Sequence, residues 1–132
     1  MSGPSTFENI SEGLLRSFDD KDRAREEALS LSRRVIRLCS SSIRSMHRNE
    51  FPAAKRLVDE AAEELEKIRE LLGNHQDVRY AGFVDGAEQE YAEAISVYSI
   101  ITRNEILTPA EVGVELANYL AGLGDVCGEL RR

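Results

Sequence analysis

The chain has no tryptophan, three prolines and two cysteines. Each scarcity excludes something. Prolines stand only at 4, 52 and 109, so long stretches carry no obligatory helix breaker. Cys39 and Cys127 lie far apart without a C-x-x-C pair, which excludes a disulfide framework and a cysteine metal cluster and leaves buried free thiols as the expectation. No run of roughly 18 apolar residues and no charged-then-apolar leader occurs, so neither a membrane span nor a secretory signal is encoded, and a cytoplasmic location is expected. Strand signals are nearly missing: the hairpin-type dipeptide Asp85-Gly86 is not flanked by alternating apolar residues. The Glu-x-x-His element of di-iron carboxylate bundles is absent, and Ser40, Ser41 and Ser42 lack a nucleophile elbow. His47 and His75 have no partner at metal-site spacing and read as ordinary polar residues. The net charge of −7 gives no global attraction to a polyanion, so any such partner has to be held locally.

What is present is helical period. The 132 residues suit one domain, 1–132, of the all-α class. Residues 1–6 are small and polar and read as disordered. A first helix is expected from about Phe7 to Phe18 with Ile10, Leu14 and Leu15 inward, followed by Asp19 and Asp20 as a cap. A long helix to about Asn49 carries the stripe Ala28, Leu31, Val35, Leu38, Cys39, Ile43 and Met46. Phe51-Pro52 breaks it, and Pro52 suits the first turn of a helix to Leu72 that turns Ala54, Leu57, Val58, Ala61, Leu65, Ile68 and Leu72 inward and is closed by Gly73. A helix from about His75 to Thr102 buries Val84, Ala87, Tyr91, Ala94, Ile95, Tyr98 and Ile101. Thr108-Pro109-Ala110-Glu111 has the residues of a capping box, and a last helix from about Val114 buries Leu116, Tyr119, Leu120, Leu123, Val126 and Leu130. That pattern reaches Arg131-Arg132 without a cap, which implies a further C-terminal segment.

Two acidic constellations stand beside these stripes. Glu90-x-x-Glu93 and Asp125-x-x-x-Glu129 each place two carboxylates on one helix face, where like charges repel by a few tenths of a kcal/mol per pair. A hard divalent cation offsets such repulsion, Mg²⁺ or alternatively Mn²⁺, and the chemistry it suits is phosphoryl transfer. The plainer alternative is four solvated side chains in an acid-rich protein. Gly122, Gly124 and Gly128 share the helix with Asp125 and Glu129, and each costs a helix interior about 1 kcal/mol. Close approach of a neighbouring helix or of a substrate backbone compensates that cost. Between Arg33 and Arg48 the order reverses: Arg33, Arg34, Arg37, Arg44, His47 and Arg48 occur with no acid among them. Phosphate contacts are the favoured reading there over local ion pairs.

The stretches REEALSLSRRVIRLCSSSIRSMHR, GFVDGAEQEYAEA and, most specifically, NYLAGLGDVCGELRR resemble translin and translin-associated factor X. The similarity runs from about Asp20 onward. It implies a translin-like antiparallel α-α superhelical bundle, here of about five helices and without the family's C-terminal helices. It further implies a homo-oligomer, an octamer in the family, that binds RNA or single-stranded DNA and does not involve a membrane. In the factor X branch the catalytic acids are the two glutamates of a Gln-Glu-Tyr-x-Glu-Ala motif and the acids of an Asp-x-x-x-Glu motif, which fall on Glu90, Glu93, Asp125 and Glu129.

The expectation is therefore a Mg²⁺-dependent endoribonuclease acting on single-stranded or short RNA. Glu90, Glu93, Asp125 and Glu129 serve as catalytic and metal-holding residues, and Arg33, Arg37, Arg44 and Arg48 contact nucleic acid. Two rivals stay open. An all-α nucleoside triphosphate pyrophosphohydrolase also pairs acids around Mg²⁺, although its second motif is Glu-x-x-Asp. A translin-like nucleic-acid-binding protein without catalysis is the other.

Overall fold

No proline lies between Pro4 and Pro52, and the chain uses that freedom to form one uninterrupted helix, α1, from Gly3 to His47. At about 1.5 Å per residue its 45 residues span about 67 Å. The computed structural model describes residues 3–73 and 82–131, with side chains from Thr6 onward. Four further helices follow among these residues: α2 at Phe51–Leu72, α3 at Phe83–Arg103, α4 at Pro109–Val112 and α5 at Leu116–Leu130. No strand occurs among them, so the all-α expectation holds.

The helix count agrees with the sequence reading by two compensating differences. The two N-terminal helices are one, because Asp20 does not cap; its carboxylate instead accepts from Arg23 one turn along, at 2.9 Å. Of residues 1–6, expected to be disordered, Gly3 to Thr6 belong to α1, and residues 1 and 2 lie outside the described residues. The Thr108 turn in exchange counts as a helix, with Thr108 Oγ1 accepting from the Glu111 amide and the Glu111 carboxylate accepting from the Thr108 amide. The expected start of a helix near His75 lies outside the described residues.

Between α1 and α2 the chain reverses at Asn49, whose φ of 60° is the left-handed geometry that asparagine tolerates better than most residues. The Glu50 amide donates to the Ser45 carbonyl at 2.8 Å, and the Ser42 hydroxyl donates to the Ala54 carbonyl at 2.8 Å across the hairpin. Pro52 takes the first turn of α2 as its missing N–H allows. Gly73 closes α2 in right-handed geometry, so its left-handed freedom is not used there.

The antiparallel pair α1–α2 forms the most extensive contact, with α3 packed on α1 and α5 packed on α3. Ala24, Ala28, Val35, Cys39, Ile43 and Met46 of α1 meet Ala54, Val58, Ala61, Leu65, Ile68 and Leu72 of α2, and Val84, Ala87, Ala94 and Val97 of α3 with Val126 of α5 complete this core. A smaller cluster of Ala92, Val112 and Tyr119 lies on the opposite side of α3, and Tyr91, Ile95 and Leu123 touch both. α3 is thus covered on two sides. That explains why Ser96, Ser99, Glu88 and Glu93 are buried along with its apolar stripe.

Two expected apolar faces are not covered. Ile10, Leu14 and Leu15, expected inward, are more than half exposed, as are Phe7 and Phe18, because no described element lies beside α1 before Ala24. On α5 the buried strip is Asn118, Tyr119, Gly122 and Val126, which turns Leu116, Leu120 and Leu130 outward against expectation. Ile101 near the end of α3 is exposed as well. Among the described residues, no helix is long and apolar enough to cross a membrane.

Candidate functional site

Gly122 sets the distance between the two acid-bearing helices. A Cβ built there falls 2.7 Å from the Gln89 carbonyl oxygen and 3.1 Å from the Glu93 amide nitrogen, so α5 rests directly on the α3 backbone between the residues of the first motif. A helix-on-helix approach therefore compensates Gly122. It does not account for Gly124 and Gly128, where an added Cβ meets nothing within 4 Å; these two line open space.

A second device fixes the rotation of α5. Glu88 of α3, only 1% exposed, accepts from the Glu115 amide at 3.2 Å and from the Asn118 side-chain amide at 2.9 Å, with the Arg69 guanidinium at 3.7 Å. It places a carboxylate at the N-terminus of α5, where the helix dipole favours negative charge. Asn118 also donates to Asp85 at 3.0 Å, and Arg69 donates to the Gly113 carbonyl at 2.6 Å. α2, α3 and the α4–α5 connection are held at one knot.

One turn and two turns beyond Gly122, Asp125 and Glu129 then face Glu90 and Glu93. All four line one cavity of about 410 Å³ whose remaining wall is Gly124 and Gly128. Glu90, Glu93 and Glu129 also border a cavity of about 210 Å³ closed by Ser40, Ile43, Arg44 and His47 of α1. The sequence-derived acids are therefore brought together, and α1 supplies a third wall.

Their electrostatics are those of crowded carboxylates. Burial, the charges of Glu90, Asp125 and Glu129, and a hydrogen bond to Glu90 raise the Glu93 carboxyl to about 7. Glu90 is raised by burial and by Asp125 and Glu129, with the hydrogen bond from Glu93 acting against this. Cys39, buried beneath the pair, has its thiol pushed well up by burial and then by Glu90 and Glu93, which makes it an inert core group rather than a nucleophile.

The α5 acids have neutral or cationic neighbours instead. Gln89 Nε2 donates to Asp125 Oδ2 at 3.0 Å, and His47 Nε2 lies 2.9 Å from Glu129 Oε2. His47 thus stands at the edge of the acid cavity as a polar partner of Glu129. Helical spacing held the signal: His47 follows Ser40, Ile43 and Arg44 on one face, and Gln89 precedes Glu93 by one turn. His75 lies outside the described residues.

The arginines divide. Offsets of 4, 7 and 4 put Arg33, Arg37 and Arg44 on one stripe of α1 that Arg48, just past its last residue, continues to a length of about 22 Å. Arg33 and Arg37 line a surface hollow with Glu26, Leu29 and Ser30, and no ion pair engages either among the described residues. Arg44 donates to Ser41 at 3.0 Å and borders the acid cavity; Arg48 pairs with Glu50 at 3.3 Å. Arg34 points elsewhere, to Glu60 and, at 3.5 Å, to buried Glu64 of α2. The acids missing from its own segment reach it across the hairpin.

Whether the site suits a metal turns on the donor set. Among the described residues, no three His, Cys, Asp or Glu side chains converge closely enough to hold one ion together. The carboxylates fit instead the Mg²⁺ habit of binding one or two protein oxygens and filling the remaining positions with water and substrate phosphate.

Comparison with known proteins agrees with this architecture. An uncharacterized protein of Methanocaldococcus jannaschii is 36% identical over 120 residues, covering 90% of this chain and 53% of its own length. The crystal structure of apo-NeC3PO superposes with a TM-score of 0.82 at 28% identity, over 90% of this chain and 63% of that one. The chain thus spans about half the length of the curated relative it matches. Residues 23–132 match the model of the Translin family, and the chain belongs to that family.

Proposed function

We propose that the chain is a Mg²⁺-dependent endoribonuclease acting on single-stranded or short RNA, of the translin-associated factor X type. The observation that carries this reading is the convergence of Glu90, Glu93, Asp125 and Glu129 on one open cavity beside the arginine stripe of α1. Family membership and the likeness to apo-NeC3PO support it.

In this reading Glu90, Glu93, Asp125 and Glu129 would hold the Mg²⁺ ion or ions, or Mn²⁺ in their place, with one or two carboxylates to each ion and water or substrate phosphate completing its shell. The ion, when bound, polarises the scissile phosphate and lowers the pKa of an attacking water. The chain's own residues do the rest. Arg44 meets a phosphate at the cavity edge, while Arg33 and Arg37 hold the backbone farther along α1. One cavity carboxylate accepts the proton of the water. Contacts to phosphates rather than base edges imply little sequence preference. The exposed apolar faces at Phe7–Phe18 and on α5 are consistent with the homo-oligomer expected of the family.

The test is a labelled single-stranded RNA incubated with the protein in Mg²⁺ and in chelator, beside a Glu90→Ala, Asp125→Ala double variant. The expected result is cleavage in Mg²⁺ alone and a loss of at least ~100-fold in the variant. Binding without cleavage supports the non-catalytic reading instead. Release of pyrophosphate from deoxynucleoside triphosphates with RNA left intact supports the pyrophosphohydrolase.

A further inference from the structure

Four carboxylates around one cavity do not aim themselves. Each gains by turning toward bulk water and away from the others, because like charges a few ångströms apart repel more strongly beside a protein wall than in water. Glu90 and Glu93 avoid this by sharing a hydrogen bond. Asp125 and Glu129 lie one turn apart on α5 and meet side chains of other helices instead. Each needs a partner on another helix that fixes its side chain without adding negative charge.

The structure assigns that work to Gln89 and His47. We propose that these are positioning residues that aim the two α5 carboxylates into the cavity for a divalent cation, an inference that rests on the nuclease reading above. Gln89 is in place because of Gly122. The close approach at that glycine brings the Gln89 backbone against α5, and one turn along the side-chain amide reaches Asp125 Oδ2 at 3.0 Å. His47 stands at the C-terminal end of α1, in the wall shared with Glu90, Glu93 and Glu129. Its imidazole Nε2 lies 2.9 Å from Glu129 Oε2 and donates to it in the tautomer that carries the proton on Nε2. The two bonds come from different helices, so the site closes only when α1, α3 and α5 are all docked. Partners of this kind, which touch ligands rather than the ion, typically contribute 10- to 100-fold to metal affinity.

Mn²⁺, whose free form is counted by electron paramagnetic resonance, is the probe. His47→Ala and Gln89→Ala are each expected to weaken Mn²⁺ binding by about 10-fold. Their kcat on single-stranded RNA falls while KM for RNA and the thermal midpoint measured without metal stay near wild type. His47→Gln, whose amide nitrogen takes the place of Nε2, restores most of the affinity. Gln89→Glu keeps the size of the side chain but turns the donor into a fifth carboxylate, and is expected to be worse than Gln89→Ala. Wild-type Mn²⁺ affinity in both alanine variants overturns the inference, as does a loss that follows a fall in thermal midpoint or is not restored by His47→Gln. If the wild-type protein binds Mn²⁺ and cuts RNA while the variants match it, this inference alone fails. If wild type neither binds Mn²⁺ nor cuts RNA, the nuclease reading fails with it.

Discussion

The two helices that carry the acids are built on opposite plans. α3 is enclosed on two sides, its acids Glu90 and Glu93 are tied to each other, and a third carboxylate, Glu88, is fully buried as an anchor. α5 is covered on one narrow strip only, carries three glycines, and has its acids held from outside by Gln89 and His47. α3 brings its own rigidity, whereas α5 borrows its position from its neighbours. The more easily perturbed half of the site is therefore α5.

Its glycines offer the largest perturbation. By helix propensity alone, alanine at Gly122 or at Gly124 should stabilise α5 by about 1 kcal/mol. At Gly124 nothing opposes that gain. At Gly122 the new methyl falls 2.7 Å from a backbone oxygen that cannot swing aside, so the helices must separate, at a cost of about 1–3 kcal/mol. Urea unfolding should thus give opposite signs for Gly122→Ala and Gly124→Ala, and only the first should weaken Mn²⁺ binding. Equal effects would show that α5 does not depend on that contact.

The α3 pair is sensitive to pH rather than to volume. Because the Glu93 carboxyl is raised from 4.5 to about 7, the folded protein binds more protons than the unfolded chain between those values. Metal-free stability from this group is accordingly intact below about 4.5 and declines as the pH rises through about 7. Glu93→Gln removes the dependence and, with screening by water in the open cavity allowed for, should stabilise the metal-free protein at pH 8 by about 1 kcal/mol. Melting curves at pH 5 and pH 8, with and without Mg²⁺, check this. The wild type should recover with Mg²⁺ at pH 8, and the variant should not respond.

Much of this was legible in the sequence, and what was not has a physical reason. The buried stripes of α1 from Ala28 to Met46 and of α2 from Ala54 to Leu72 follow from period alone, because each helix buries one face against one partner. The four acids could be paired by spacing. Their facing across helices could not, since it depends on Gly122 and on the Glu88 knot, where the partners are 27 to 30 residues apart. Period also misjudged Ile10, Leu14, Leu116 and Leu120, because an apolar stripe records that a face is to be covered and not by what. Asp19 and Asp20 suggested a cap, yet without proline or glycine beside them a helix continues.

The smallest effect separates two adjacent arginines. Arg33 and Arg34 look alike in sequence, but among the described residues Arg33 makes no ion pair on the α1 stripe while Arg34 is spent on Glu60 and Glu64 of α2. A cation that contacts a phosphate releases a counterion on binding, so its removal lowers the slope of log affinity against log salt by about 0.7 for a single strand. A cation already paired with protein carboxylates releases none. Arg33→Gln should therefore flatten the salt dependence of single-stranded RNA binding by about 0.7 while leaving the urea midpoint unchanged. Arg34→Gln should leave the slope alone and lower the midpoint, because Glu64 is then a buried carboxylate deprived of its cross-helix partner, with Lys67 at 3.3 Å the one cation remaining among the described residues. If the two variants shifted the salt slope equally, RNA would have to follow a wider face of α1 than the stripe from Arg33 to Arg48, and its route to the acid cavity would need to be redrawn.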